Sequence, residues 1–185
     1  MIMWALERHD WSKLRAAGTV VRVPRAICAL RDAQSADEAA AAYWKIDNKV
    51  VVQGALYEAA VPAAECALAA LPHSTEFGKP KLVELLYQLG NGESHPSEVE
   101  VGLPNLGELC RIEICRGATM IFHLLETAEP DWLDLAVDLA LLMVDQAPEL
   151  SGKMRWYMER ILCREIDEGV RTLISEWLEE NPQLR

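Results

Sequence analysis

The sequence predicts an all-α protein, a superhelix of antiparallel helix pairs stacked along one domain that covers residues 1–185. Three observations lead there. Apolar residues recur at helical spacing through most of the chain, as Leu133, Val137, Ala140, Leu141 and Val144 do. Short segments carrying Pro or Gly separate these patterns, at Gly18, Pro24, Pro62, Gly90, Pro130 and Pro148. Ala is abundant between Ala39 and Leu71, so helices there can approach closely. Together they predict about nine helices.

In order, Asp10 is positioned to cap a short helix from Trp11, which Gly18 ends. Thr19–Val23 is a β-branched connector. Pro24 opens a second helix with Ile27, Leu30 and Cys28 turned inward. Ser35 followed by Glu38 is a capping-box pattern, and its helix runs to Lys49. Val50–Val52 is ambiguous alone; it is assigned to the start of the next helix, because no other segment predicts a strand. Pro62 opens an Ala/Leu helix, and His73 to Pro80 is a loop. Lys81–Leu89 is helical, with Gly90 as its stop.

Gly90 to Pro104 is the longest irregular stretch, of the length that loops in compact domains reach when they are functional or mobile. Asn105–Leu125 predicts a long helix. Gly117 inside it requires either a close backbone neighbour or a bend. Pro130 and Asp131 start a helix to Ala147. Asp131, Asp134, Asp138 and Asp145 recur on one stripe of it, where like charges repel. Glu149–Arg164 and a helix begun by Asp167 follow, and the tail from Asn181 is expected to fray.

Charge narrows the function. The net charge is −11, which argues against nonspecific nucleic-acid binding. It is unevenly spread. Residues 84–149 hold thirteen carboxylates against Arg111 and Arg116, whereas residues 1–31 carry a net +4. The acidic field is either a solvated surface or a face for a basic partner. Five cysteines, an odd number, lie mostly in apolar helical patterns. With no basic start followed by an apolar run at the N-terminus, a reduced cytoplasmic setting is expected. No window reaches the roughly 18 apolar residues of a membrane span.

No strong catalytic constellation stands in the sequence, and no cofactor or metal is expected. Cys110 and Cys115 fall on different sides of a helix, which is poor zinc geometry. His9, His73, His95 and His123 are scattered. Gly90-Asn91-Gly92 lacks the Lys and Ser/Thr of a phosphate loop. The carboxylate pair Glu126/Glu129 has no matched partner pair. Trp44, Gln53 and Tyr57 admit two readings: an aromatic wedge with Gln53 bonding a turn, or contact anchors on a groove wall.

The segment from Tyr43 to Ala63 supplies a resemblance. Trp44, Gln53, Gly54, Tyr57, Ala60 and Pro62 follow a pattern that resembles bacterial HEAT-like and armadillo-like helical repeat proteins. A looser echo joins Cys110, Arg111, Ile114 and Gly117 to Cys163, Arg164, Ile166 and Gly169. Several such small bacterial proteins lie beside secreted toxins and resemble immunity proteins. The resemblance implies a non-enzymatic binding module that occludes, with an acidic groove, a nuclease-like or other cationic toxin encoded nearby. The expected contact residues are Trp44, Gln53, Tyr57, Glu93, Glu98, Glu100, Glu126, Asp131, Asp134 and Asp138. The competing readings are a helical-repeat enzyme acting on nucleic acid, which needs a basic groove, and a general scaffold or assembly factor.

Overall fold

The computed structural model describes residues 4–182. The chain is mostly helical and divides into two compact units, Met1–Arg116 and Gly117–Arg185.

The first unit holds α1 (Trp4–Glu7), α2 (Val23–Arg31), α3 (Ala36–Val50), α4 (Ala60–Ala70), α5 (Gly78–Asn91), α6 (Pro96–Glu100) and α7 (Leu106–Arg116). Pro24 sits in the first turn of α2, where its missing N–H costs nothing. Ser35 caps α3 by accepting a bond from the Glu38 N–H at 3.2 Å. The Glu38 carboxylate reaches back one residue further than expected, to the N–H of Gln34 at 2.8 Å. Helix α4 is the centre of the unit. Ala60, Ala63, Ala64 and Ala67 are fully buried, and these small side chains let α5 and α7 both pack on it.

Four expectations for this unit need correction. Residues 11–17 form turns and not a helix. The Asp10 carboxylate bonds the N–H and hydroxyl of Ser12, a local alternative to helical bonding. Trp11 is buried there, its indole N–H on the Leu6 carbonyl at 2.9 Å. Second, the chain is not free of strands: Val51–Val52 (β1) and Ala55–Leu56 (β2) pair antiparallel, and β2 pairs parallel with Glu93–Ser94 (β3). The β-branched run favours extension, and Gln53 and Gly54 at φ 51° and 79° make the two-residue turn that joins the first pair. Third, residues 90–104 are not one long loop. Helix α5 runs to Asn91, then β3 and α6 follow. Fourth, among the described residues there are eleven α-helices and not about nine, α1 and α6 being short additions.

The eleventh helix comes from Gly117. Its backbone, at φ −88° and ψ 10°, ends the long helix expected over Asn105–Leu125 and caps the next one. The second unit consists of α8 (Ala118–Thr127), α9 (Leu133–Gln146), α10 (Ser151–Leu162) and α11 (Glu168–Glu180). Helix α8 packs on α9 and α10, and α11 packs on α9 and α10. Phe122, Val137, Ala140, Met154, Met158 and Ile174 fill the space between them. Asp167 caps α11 through the Gly169 N–H at 2.7 Å, as its position in the sequence predicts. Asn181 is held rather than frayed: its carbonyl accepts from Arg155 at 3.1 Å and its amide donates to the Trp177 carbonyl. Residues 183–185 of the expected tail lie outside the described residues. No described helix is long and apolar enough to cross a membrane.

Candidate protein-binding surfaces

The first unit places six of the expected contact residues in unlike settings. Trp44 projects from α3 and is 56% exposed, its ring edge-on to Tyr43 at 5.2 Å. Tyr43 is buried and donates to Asp47 at 3.2 Å, so the anchored ring supports the free one. Burial raises the pKa of both Tyr43 and Asp47. Gln53 is exposed on the β1–β2 turn. Tyr57 is half-buried and stacks on His95 at 4.7 Å. The His95 Nδ1 in turn accepts from the Ser97 N–H, capping α6.

Glu98 departs from the acidic-surface expectation. It is 1% exposed, and the Arg15 guanidinium holds it from Nε and Nη2 at 2.9 to 3.3 Å. Arg15 also pairs with Glu58 at 3.1 Å. The bond to Glu98 raises the arginine's pKa above its ordinary value. A carboxylate this buried is neutralised in place and cannot meet a partner; here it ties the N-terminal segment to α6. Glu100 is exposed. Glu93 is exposed beside Ser94, Asn105, Glu108 and Arg111 on an open cleft of about 600 Å³.

The second unit gathers the remaining four more closely. Asp131 precedes α9 rather than riding on it, which corrects the expected four-residue stripe. That position brings it, with Asp134, to a cleft of about 280 Å³ whose opposite wall is Asp167, Gly169, Val170 and Leu173 of α11 and its cap. Among the described residues no Lys, Arg or His lines this cleft. Asp138 lies one turn beyond Asp134 and is half-buried. Burial pushes its carboxyl pKa up, and the charge of Asp134 adds to the rise. Glu126, at the end of α8, accepts from the Tyr157 hydroxyl at 2.8 Å. Beside it a second pocket of about 320 Å³ is lined by Leu125, Trp156, Tyr157, Arg160, Ile161 and Arg164. Trp156 is 51% exposed, with the Arg160 guanidinium over its ring at 5.2 Å. Arg164 is committed inward, donating to the carbonyls of Leu125 and Ala128.

Asp167, Trp156 and Arg160 are absent from the expected contact set. Trp156 and Arg160 were legible: Met154, Met158 and Ile161 define the inward face of α10, which leaves both outside it. Asp167 was not, because only tertiary packing brings it against Asp131 and Asp134.

Among the described residues no three His, Cys, Asp or Glu side chains are grouped to hold a metal ion. Burial pushes the thiol pKa of Cys66 and Cys110 up to about 12, so neither is a thiolate at neutral pH. Comparison with protein-family models, curated proteins and solved structures finds no match to this chain.

Proposed function

We propose that this chain is a non-enzymatic protein-binding module, an immunity protein of the bacterial cytoplasm that occludes a cationic, nuclease-like toxin encoded nearby. The observation that carries the reading is the cleft of the second unit. Asp131, Asp134 and Asp167 line it, with no Lys, Arg or His among the described lining residues, and the same unit exposes Trp156 under Arg160. Uncompensated like charges destabilise a protein standing alone and become favourable against a basic surface. Exposed Trp and Arg are the side chains that supply contact energy most often, while the carboxylates speed encounter and select the partner. The reading includes the HEAT-like resemblance of Tyr43–Ala63 and takes the antiparallel helix pairs as repeat units of a superhelix. Trp44, Gln53, Tyr57, Glu93 and Glu100 of the first unit remain contact candidates, and the buried Glu98 does not.

The test is co-purification with the product of the adjacent gene, using wild-type protein and the double variant Asp131→Lys/Asp134→Lys. Both positions are exposed, and circular dichroism of the variant checks that its fold is kept. Capture by the wild type that drops about tenfold or more in the variant supports the proposal. Failure of the wild type to capture that protein refutes the immunity role. Undiminished capture by the variant refutes the acidic cleft as the contact.

A further inference from the structure

The acidic chain carries one concentrated patch of the opposite sign. Helix α2 presents Arg22, at its cap, and Arg25; helix α3 presents Lys45 and Lys49. The intervals of three and four put each pair on one helix face. The two helices pack together, and the four cations border a single open cleft of about 690 Å³. Ala26 and Ala29 form its floor and Thr19 adds a hydroxyl to the rim. Among the described residues no carboxylate lines it. Arg22, Arg25 and Lys45 are exposed and form no ion pair among the described residues. Lys49 is half-buried and fixed in place: its ammonium donates to the Ala17 carbonyl at 3.0 Å, and the Ala17 N–H donates to the Lys49 carbonyl at 2.9 Å. One of the ammonium's three protons is used, so the others remain for a ligand.

We propose that this cleft is a binding site for a compact polyphosphate group, either free or carried by a nucleoside. The charge count fits, because four cations bordering one cleft match a tri- or tetra-anion. The residue types fit, since guanidinium forks take phosphate oxygens in pairs and ammonium groups add point charge. The volume falls in the range of small-molecule clefts, and the small alanine floor leaves the space open. A long polyanion fits less well. Extended nucleic acid draws its affinity from a run of phosphate contacts, and a chain of net charge −11 repels the part that leaves the cleft. A short polyphosphate stays within about a Debye length, roughly 8 Å, of the four cations. The site belongs to the first unit and does not depend on the toxin-binding reading.

Isothermal titration calorimetry on the full chain tests it, with sodium tripolyphosphate, ATP and a single-stranded oligonucleotide as separate probes. The proposal expects saturable binding of tripolyphosphate or ATP that weakens as salt rises. Tripolyphosphate and ATP binding alike assigns the site to the phosphates alone; clearly tighter ATP adds the nucleoside. Arg25→Ala/Lys45→Ala should weaken binding by about tenfold or more. The control Lys13→Ala/Arg116→Ala removes the same charge outside the cleft and should leave binding within about twofold. No saturable binding of either small probe at low salt overturns the proposal. So does equal loss in both double variants, or preference for the oligonucleotide over both small probes. Circular dichroism of each variant confirms that a loss is not unfolding.

Discussion

The same substitution, Gly to Ala, should have opposite effects at two helix positions. Gly107 lies in the first turn of α7. A Cβ added there falls 2.2 Å from the Gly92 carbonyl oxygen, well inside contact distance, and the obstacle is backbone. Helix α7 must then withdraw by about 1 Å from the segment that leads into β3, and overpacking of this kind costs about 1–3 kcal/mol. The withdrawal also strains the bond from Arg111 to the Gly90 carbonyl, 2.8 Å long, for about another 1 kcal/mol. Ala returns about 1 kcal/mol of helix propensity, so Gly107→Ala should destabilise by about 2 kcal/mol net. Gly152, in the first turn of α10, has nothing within 4 Å of its added Cβ. There only the propensity and unfolded-state terms act, and Ala should stabilise by about 0.5–1 kcal/mol. Urea unfolding followed by far-ultraviolet circular dichroism measures both, each against wild type in the same unit's transition. A Gly107→Ala variant as stable as wild type would sink the argument that the Glu93 cleft is shaped by backbone contact between Gly92 and Gly107.

Two further outcomes follow from single residues. Burial, aided by Asp134, raises the Asp138 pKa in the folded state. The native protein therefore binds that proton more tightly than the unfolded chain. Stability from this group is highest below the unfolded value, falls as pH rises through the raised value, and is flat above. Asp138→Asn should be more stable than wild type at neutral pH, with the gap closing towards about pH 3; thermal melts across that range check it, and a less stable Asn variant at neutral pH would contradict it. Gln53 sits at φ 51° without the freedom of glycine or the local bonding of asparagine. Gln53→Asn should stabilise the β1–β2 turn by about 0.5–1 kcal/mol, read as a rise in urea midpoint; no change or a fall would show that the Gln side chain makes a contact worth more than the strain.

Most of the longer helices were legible where apolar spacing and a cap agreed, whereas the cap expected at Asp10 failed because its carboxylate bonds Ser12 in a turn instead. Ser35 with Glu38 and Asp167 with Gly169 satisfy backbone groups within one turn, so the short-range pattern sufficed for those caps. Most of the inward faces of α9 and α10 followed from spacing alone, though Leu141, Tyr157 and Leu162 are only half-buried. Gly117 was flagged as costly inside a helix, but spacing could not choose between a close neighbour and a break. The three-stranded sheet was missed because each strand is two residues long and its stability lies in its partners: β3 sits far along the chain from β1 and β2.

Sign and burial of charge divide along the same line. The sequence by itself determined a helical chain with an acidic middle and a basic start, since both depend on which residues occur and at what interval. Tertiary structure alone decided which charges are available. It buried Glu98 against Arg15, set Asp167 on the same cleft as Asp131 and Asp134, and set Arg22 and Arg25 on the same cleft as Lys45 and Lys49. Each of these pairs residues from different elements, and the energy of bringing them together depends on distance through space and on the water excluded between them.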